Sequence, residues 1–317
     1  MRHGSAVTLE PGGQVELSTV PQRSLTDLHE AVGADLAELT ERLARVGLEL
    51  GGTGIDPHRP PRRMLSTPRY DAMATAFARR NDAGRTMMCS TAGLQVCLDA
   101  GPPSRWAAVH DLGPPLIALF ANSRQHAGHD TGWASARMRT WLAMDPSRTR
   151  HVPPGDDPAL EWARYALDAQ LLCVRRGEGP WTAPAGVTFA DWIGGALGYQ
   201  PSYADLDYHL STLFPPVRPR GYLEVRYLDT LRGPDWFAAA AVLTALLADE
   251  PTIDRVRELC APVAGQWALA ARLGMADPGL AKAATAVRDL ALERLDLPAA
   301  LLQDVIEGSS RHEWFGA

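Results

Sequence analysis

Leu9-Glu10-Pro11-Gly12-Gly13-Gln14-Val15-Glu16-Leu17-Ser18 places two carboxylates and an amide around a Pro-Gly-Gly turn. In the strand leaving that turn, Gln14, Glu16 and Ser18 share one face while Val15 and Leu17 face the other way. A row of polar and charged groups projecting from a sheet is what a metal–nucleotide site needs. Tyr222–Asp229 reads as a second such strand. Its Glu224 and Arg226 share a face roughly 7 Å apart, an acid suited to a cation beside an arginine suited to phosphate oxygens. Taken alone, that pair also fits a solvated strand whose ion pair is worth ~0–1 kcal/mol. In Met88–Asp99, Thr91, Gln95 and Asp99 punctuate an apolar run, and a glutamine there is either a hydrogen-bonded core amide or a ligand. Between Ala121 and Thr149, Arg137, Arg139 and Trp141 fall on a predicted helix, with Asp145 and Arg148 just beyond. Arginines near a proline turn can hold a carboxylate by bidentate contacts, or simply face solvent. His126 and His129 stand three apart in a loop, where solvent exposure is expected rather than metal ligation.

The chain that must position these groups has 317 residues, 46% hydrophobic and 21% charged, with a net charge of −6. An acidic balance gives no reason to expect nucleic acid or an anionic membrane as a partner. No apolar run approaches the ~20 residues needed to span a bilayer, and the N-terminus has no secretion-type apolar region. Cys89, Cys97, Cys173 and Cys260 lack ligand spacing and read as reduced thiols, mostly packed in the core, of a cytoplasmic protein. Lys282 is the single lysine, and no GxxxxGK[ST] occurs. Any phosphate bound here is therefore expected on arginine, backbone N–H groups or a metal.

The apolar spacing predicts a strand over about 7–18, a helix over about 25–48, a proline-rich loop over 57–68 and a helix from Pro68. A strand follows within Met87–Asp99, then helices over 104–122 and 132–142 and a loop over 144–158. The next helix runs to Leu171 and passes into a short strand, 172–175; helical pieces lie at about 189–197 and 202–213. After strand 221–229 everything reads as helix, over about 235–249, 252–273, 278–294 and 298–307. Dispersed strands without regular alternation with helices indicate an α+β fold with an antiparallel sheet.

In collinear order, LEPGGQVELS, RY-x-x-M (Arg69, Tyr70, Met73), T-x-x-x-Q-V-x-L-D (Thr91, Gln95, Asp99), ALFANS (Ala118–Ser123), S-x-R-x-x-x-W (Ser135, Arg137, Trp141), D-x-x-RT (Asp145, Arg148, Thr149) and YLEVR (Tyr222–Arg226) resemble glutamate–cysteine ligase of the plant-type branch. The bacterial members that serve ergothioneine synthesis are the nearest in pattern. The resemblance implies a glutamine synthetase-like antiparallel sheet, with a catalytic core over 1–250 and a helical part of the same domain over 251–317. It implies ATP-dependent joining of the L-glutamate γ-carboxylate to L-cysteine through an acyl phosphate, with Mg²⁺ as cofactor. Glu10, Glu16 and Glu224 are the implied metal ligands, with Glu224 and Arg226 catalytic. Gln14, Gln95, Arg226 and Arg148 are implied for nucleotide, and Arg137, Arg69, Tyr70 and Thr91 for the amino-acid substrates. The family's G-x-E-x-E-type strand has no counterpart ahead of Leu9, so the expected metal cage is incomplete. Cys97 also stands where plant-type relatives usually place Asn. The alternatives are a non-catalytic regulatory subunit of this fold and a ligase joining glutamate to another amine. On this reading Glu224→Gln abolishes turnover and leaves folding intact.

Overall fold

The computed structural model describes residues 1–152, 155 and 157–310. The first predicted strand is a hairpin, β1 (Ala6–Leu9) and β2 (Val15–Ser18), paired antiparallel with Thr8 opposite Glu16. Its reversal is local chemistry. Gly13 N–H donates to Glu10 O, Glu10 N–H donates to Gln14 O, and Gly13 sits at φ +85°, closing the turn with a left-handed residue that favours glycine.

Helix α1 (Leu25–Ala44) starts at Ser24, whose hydroxyl accepts from Asp27 N–H, and buries Ala31, Val32 and Leu39. The 57–68 stretch stays irregular until Thr67 caps α2 (Pro68–Ala78), with Pro68 at the first helical position. Met87–Ser90, read as strand entry, belongs instead to α3 (Ala83–Ser90); β3 covers Gly93–Asp99. The predicted 104–122 helix is two helices, α4 (Pro103–Asp111) and α5 (Gly113–Phe120), because Pro114 and Pro115 cannot continue the hydrogen-bond ladder. All eight residues of α5 are buried, and a Cβ on Gly113 would lie 2.0 Å from the Trp267 ring.

A short ribbon, β4 (Gln125–His126) with β5 (His129–Asp130), precedes α6 (Ala136–Met144) and the single turn α7 (Pro146–Thr149). Asp145 starts that turn inside the stretch expected to be loop; Pro153, Pro154 and Asp156 of the same stretch lie outside the described residues. After α8 (Pro158–Asp168) the expected strand 172–175 is reduced to the isolated bridge Cys173–Thr182. Helices α9 (Phe189–Ile193) and α10 (Tyr203–Leu210) each begin with a capping box. Then come β6 (Val217–Pro219) and β7 (Tyr222–Asp229). The predicted C-terminal helices resolve into α11 (Trp236–Leu246), α12 (Glu250–Cys260), α13 (Trp267–Leu273), α14 (Pro278–Arg294) and α15 (Ala299–Ser310).

The fold is thus α+β with small antiparallel sheets, and β7 is the central strand of the three-stranded sheet β3-β7-β6. Leu94 pairs with Leu228 but Val96 pairs with Val225. Arg226 and Tyr227 together therefore oppose Gln95, a bulge that re-aims side chains at this point. Leu223, Val225 and Tyr227 enter the main core, which runs from Met73 to Val305 and includes residues of α11, α12, α13 and α14. No single helix among the described residues is long and apolar enough to cross a membrane. Gly233–Leu246 and Glu250–Val263 meet that test only as a pair bent by 107°.

Candidate active site

The opposite face of the sheet is polar. Glu224 receives two bonds from Arg218, Nε to Oε2 at 2.6 Å and Nη2 to Oε1 at 3.1 Å, and a third from Arg226 Nη1 at 3.1 Å. Arg226 Nη1 also donates to Gln95 Oε1 at 3.0 Å. Arg218 faces Glu224 directly across the β6–β7 hairpin, and Cys97 faces it across β3. Burial works against the Glu224 charge, but Arg226 and Arg218 outweigh it and hold the carboxyl below its usual range. Arg226 is pulled down to about 10 by burial and by its neighbour Arg218, with Glu224 opposing. Its guanidinium lies 5.6 Å from the Trp141 ring and 6.0 Å from the Phe214 ring, a contact favourable to a desolvated cation. The Arg226 Nε is buried without a hydrogen-bond partner among the described residues. Such a donor costs about 1–3 kcal/mol when unmet and is suited to an incoming oxygen.

The N-terminal hairpin brings Glu10 to this face. Its carboxyl is pushed up by burial, then by the charge and hydrogen bond of Glu16, and drawn down by Arg226 and Arg69. Tyr70 is raised by burial and by the fields of Glu10 and Glu16. Glu10 thus lies within the electrostatic reach of Glu16, Arg226 and Arg69, and Tyr70 within that of Glu10 and Glu16. The hairpin is latched there by Gln14, whose Nε2 donates to Met88 O at 3.3 Å and Thr91 O at 3.1 Å, while its Oε1 accepts from Gly12 N–H. Gly12 makes the approach possible, since a Cβ would sit 2.2 Å from Cys89 O.

Arg69 is aimed by Ser211, donating to its hydroxyl at 3.1 Å and its carbonyl at 2.9 Å, and lies 5.3 Å from the Tyr208 ring. Thr91 donates its hydroxyl to Met87 O at 2.7 Å. Arg137 is fully enclosed, donating Nη2 to Arg226 O at 2.7 Å with Asp229 at 3.8 Å. Gly93 leaves the room it needs, because a Cβ there would meet the guanidinium at 2.3 Å. Arg148, 1% exposed, donates to Asp145, Thr212 and Gln170. Both arginines brace the framework rather than opening toward Glu10.

The expected carboxylate trio is divided. Among the described residues no group of three or more His, Cys, Asp or Glu side chains could hold a metal ion. Glu224 is saturated by guanidinium groups, whereas Glu10 and Glu16 form a like-charge pair that a cation would relieve. Two carboxylates with substrate phosphates are a normal Mg²⁺ environment, so this pair fits such an ion.

The profile of glutamate–cysteine ligase family 2 matches residues 1–309. The chain belongs to that family. The family 2 chain is 46% identical over 304 residues to the glutamate–cysteine ligase EgtA of Mycolicibacterium smegmatis, covering 92% of this chain and 71% of that protein. To EgtA of Mycobacterium tuberculosis H37Rv it is 42% identical over 305 residues, with 92% and 71% covered. To the chloroplastic glutamate–cysteine ligase of Brassica juncea it is 32% identical over 272 residues, covering 81% of this chain and 52% of that protein.

Sequence reasoning missed Arg218, Trp141's contact with Arg226, and Asp229. The signal for Arg218 was present: Val217-Arg218-Pro219-Arg220-Gly221 before Tyr222-Leu223-Glu224 is a tight hairpin that sets Arg218 opposite Glu224. Asp229 is fixed by Asn122 N–H and by the Ser123 and Ser135 hydroxyls, contacts too distant in sequence for spacing to reveal.

Proposed function

We propose that this chain is an ATP-dependent glutamate–cysteine ligase, forming γ-glutamylcysteine from L-glutamate and L-cysteine in the route to ergothioneine. The observation that carries the reading is the Gln95–Arg226–Glu224 cluster on the polar sheet face of a family 2 chain, with Glu10 in the fields of Glu16, Arg226 and Arg69. The same reading takes that face as the bowl of a glutamine synthetase-like domain that includes the C-terminal helices, in a cytoplasmic protein.

Phosphoryl transfer to a carboxylate brings anions together, so catalysis is chiefly positioning and charge neutralisation. Glu10 and Glu16 would hold Mg²⁺, which when bound neutralises phosphate charge. Arg226 presents its free Nε and the remainder of its fork to the transferring phosphoryl group. Glu224, Gln95 and Arg218 keep that fork in one orientation. Arg69 and Tyr70 line the amino-acid pocket, Arg69 serving a substrate carboxylate. Gln14 and Thr91 support the site by joining the hairpin to the end of α3, and Arg137 and Arg148 hold β7 and Phe214 beneath it. The γ-glutamyl phosphate formed is attacked by the cysteine amine, expelling phosphate.

Phosphate release tests the reading. Turnover should need glutamate and cysteine together, and Arg226→Lys should lower kcat by about 100-fold or more, because a point charge does not reproduce the planar fork. Turnover with another amine in place of cysteine would assign the second ligase reading. No turnover with any amine would assign a binding subunit.

A further inference from the structure

The far end of α2 carries a second charged recess. A cavity of about 260 Å³ is lined by Arg79, Arg80 and Arg148, by Asp145 and Gln170, and by an apolar wall of which Leu171 is part. Arg69 opens α2 and Arg80 follows its end, so the recess lies about 15 Å along the helix from the candidate active site. Three guanidinium groups and one carboxylate line the recess. Arg148 neutralises Asp145 through Nε at 2.7 Å. Arg80 is held by Gln170 Oε1 at 3.0 Å and stands 3.4 Å from the same carboxylate. Arg79 donates to Ala183 O at 3.1 Å and makes no ion pair among the described residues.

A helix C-terminus favours a cation, and its partial charge of about −0.5 offsets part of the surplus. That effect accounts for one arginine near the helix end. It does not account for two exposed arginines lining a half-open recess whose acid, Asp145, is already engaged. Guanidinium forks recognise carboxylate and phosphate oxygens bidentately, and the volume suits a small molecule rather than a polymer.

We propose that this recess is a second, non-catalytic binding site for a compact organic dianion, a dicarboxylate or a phosphomonoester. One anionic group is taken by Arg80 and Arg79, and the ligand's carbon skeleton lies against Leu171 and Ala76. The site does not depend on the ligase reading.

Calorimetric titration of the full chain with succinate, and separately with inorganic phosphate, tests the proposal. At least one should bind with an affinity that falls as salt rises, and the one that binds identifies the head group. The R79Q/R80Q double variant should bind about tenfold or more weakly while still unfolding as a single cooperative unit. Ala76→Glu, which places a carboxylate in the recess, should abolish binding by occupying both arginines. Arg226→Lys should bind as the unmodified chain does, separating this recess from the candidate active site. Failure of both probes to bind at millimolar concentration would overturn the proposal. So would unchanged binding in the double variant and in Ala76→Glu, or loss of binding in Arg226→Lys.

Discussion

Glu224→Gln separates a metal ligand from a counter-ion. Glu224 is 5% exposed, and the substitution leaves Arg218 and Arg226 side by side with their shared charge partner gone. Both guanidinium groups are buried, and Arg137 donates to the Arg226 carbonyl from beneath. Removing one member of a buried ion pair costs about 3–5 kcal/mol. With an unfolding entropy of about 2.1 cal/mol/K per residue, a chain of 317 residues should melt about 5–8 °C lower. Scanning calorimetry reads that shift directly. Adding Arg218→Gln to the same protein should recover part of it, because one stranded cation is removed. Turnover should fall as well, through a misplaced Arg226. If Glu224→Gln melts within about 1 °C of the unmodified chain, the carboxylate is not the counter-ion of these arginines. The expectation from sequence alone, loss of activity with folding intact, would then stand.

Glu10→Gln should have the opposite stability sign. It relieves desolvation and the repulsion from Glu16, raising the metal-free melting point by the equivalent of a few tenths of a kcal/mol after solvent screening, while Mg²⁺ ceases to raise it and turnover collapses. Gly12→Ala drives a Cβ to within 2.2 Å of Cys89 O. It should cost about 1–3 kcal/mol in calorimetry and weaken Mg²⁺–ATP binding in titration as the hairpin tip lifts from α3. His110 and His209 are each lowered to about 4, in both cases chiefly by burial. The unfolded chain therefore takes these protons first. Stability should be full above about pH 6.5 and fall as the pH drops from there toward 4, by about 3 kcal/mol for each histidine. Urea titrations across that range should give a flatter profile in His209→Asn.

Local periodicity made the β7 strand legible, together with the hairpin's polar face and most helices, because alternation and capping are written within a few residues. Helix breaks at Pro114-Pro115 and Pro262 were readable in principle, but the apolar runs continue across them. Motif order supplied the candidate residues and not their partners. Glu224 and Glu16 look alike in sequence as acids on alternating strands. Only the sheet register, which sets Arg218 opposite Glu224, and the latch at Gln14 distinguish a counter-ion from half of a carboxylate pair. Arg137 and Arg148 likewise resemble substrate arginines until Gly93 and Thr212 are seen to enclose them.

The latch at Gly12 and Gln14 also fixes which changes the architecture can absorb. Glu10 and Glu16 arrive on a ribbon hydrogen-bonded to the end of α3 and, through Pro11 O, to Met64 and Leu65 N–H, whereas Arg226 stands on a separate sheet, so these turn contacts gauge the gap between them. The segment from Thr19 to Arg23, which joins the ribbon to α1, sets no part of that gap. Lengthening it should be tolerated, whereas a single-residue slip inside the ten-residue turn segment would turn both acids away from Arg226 at once.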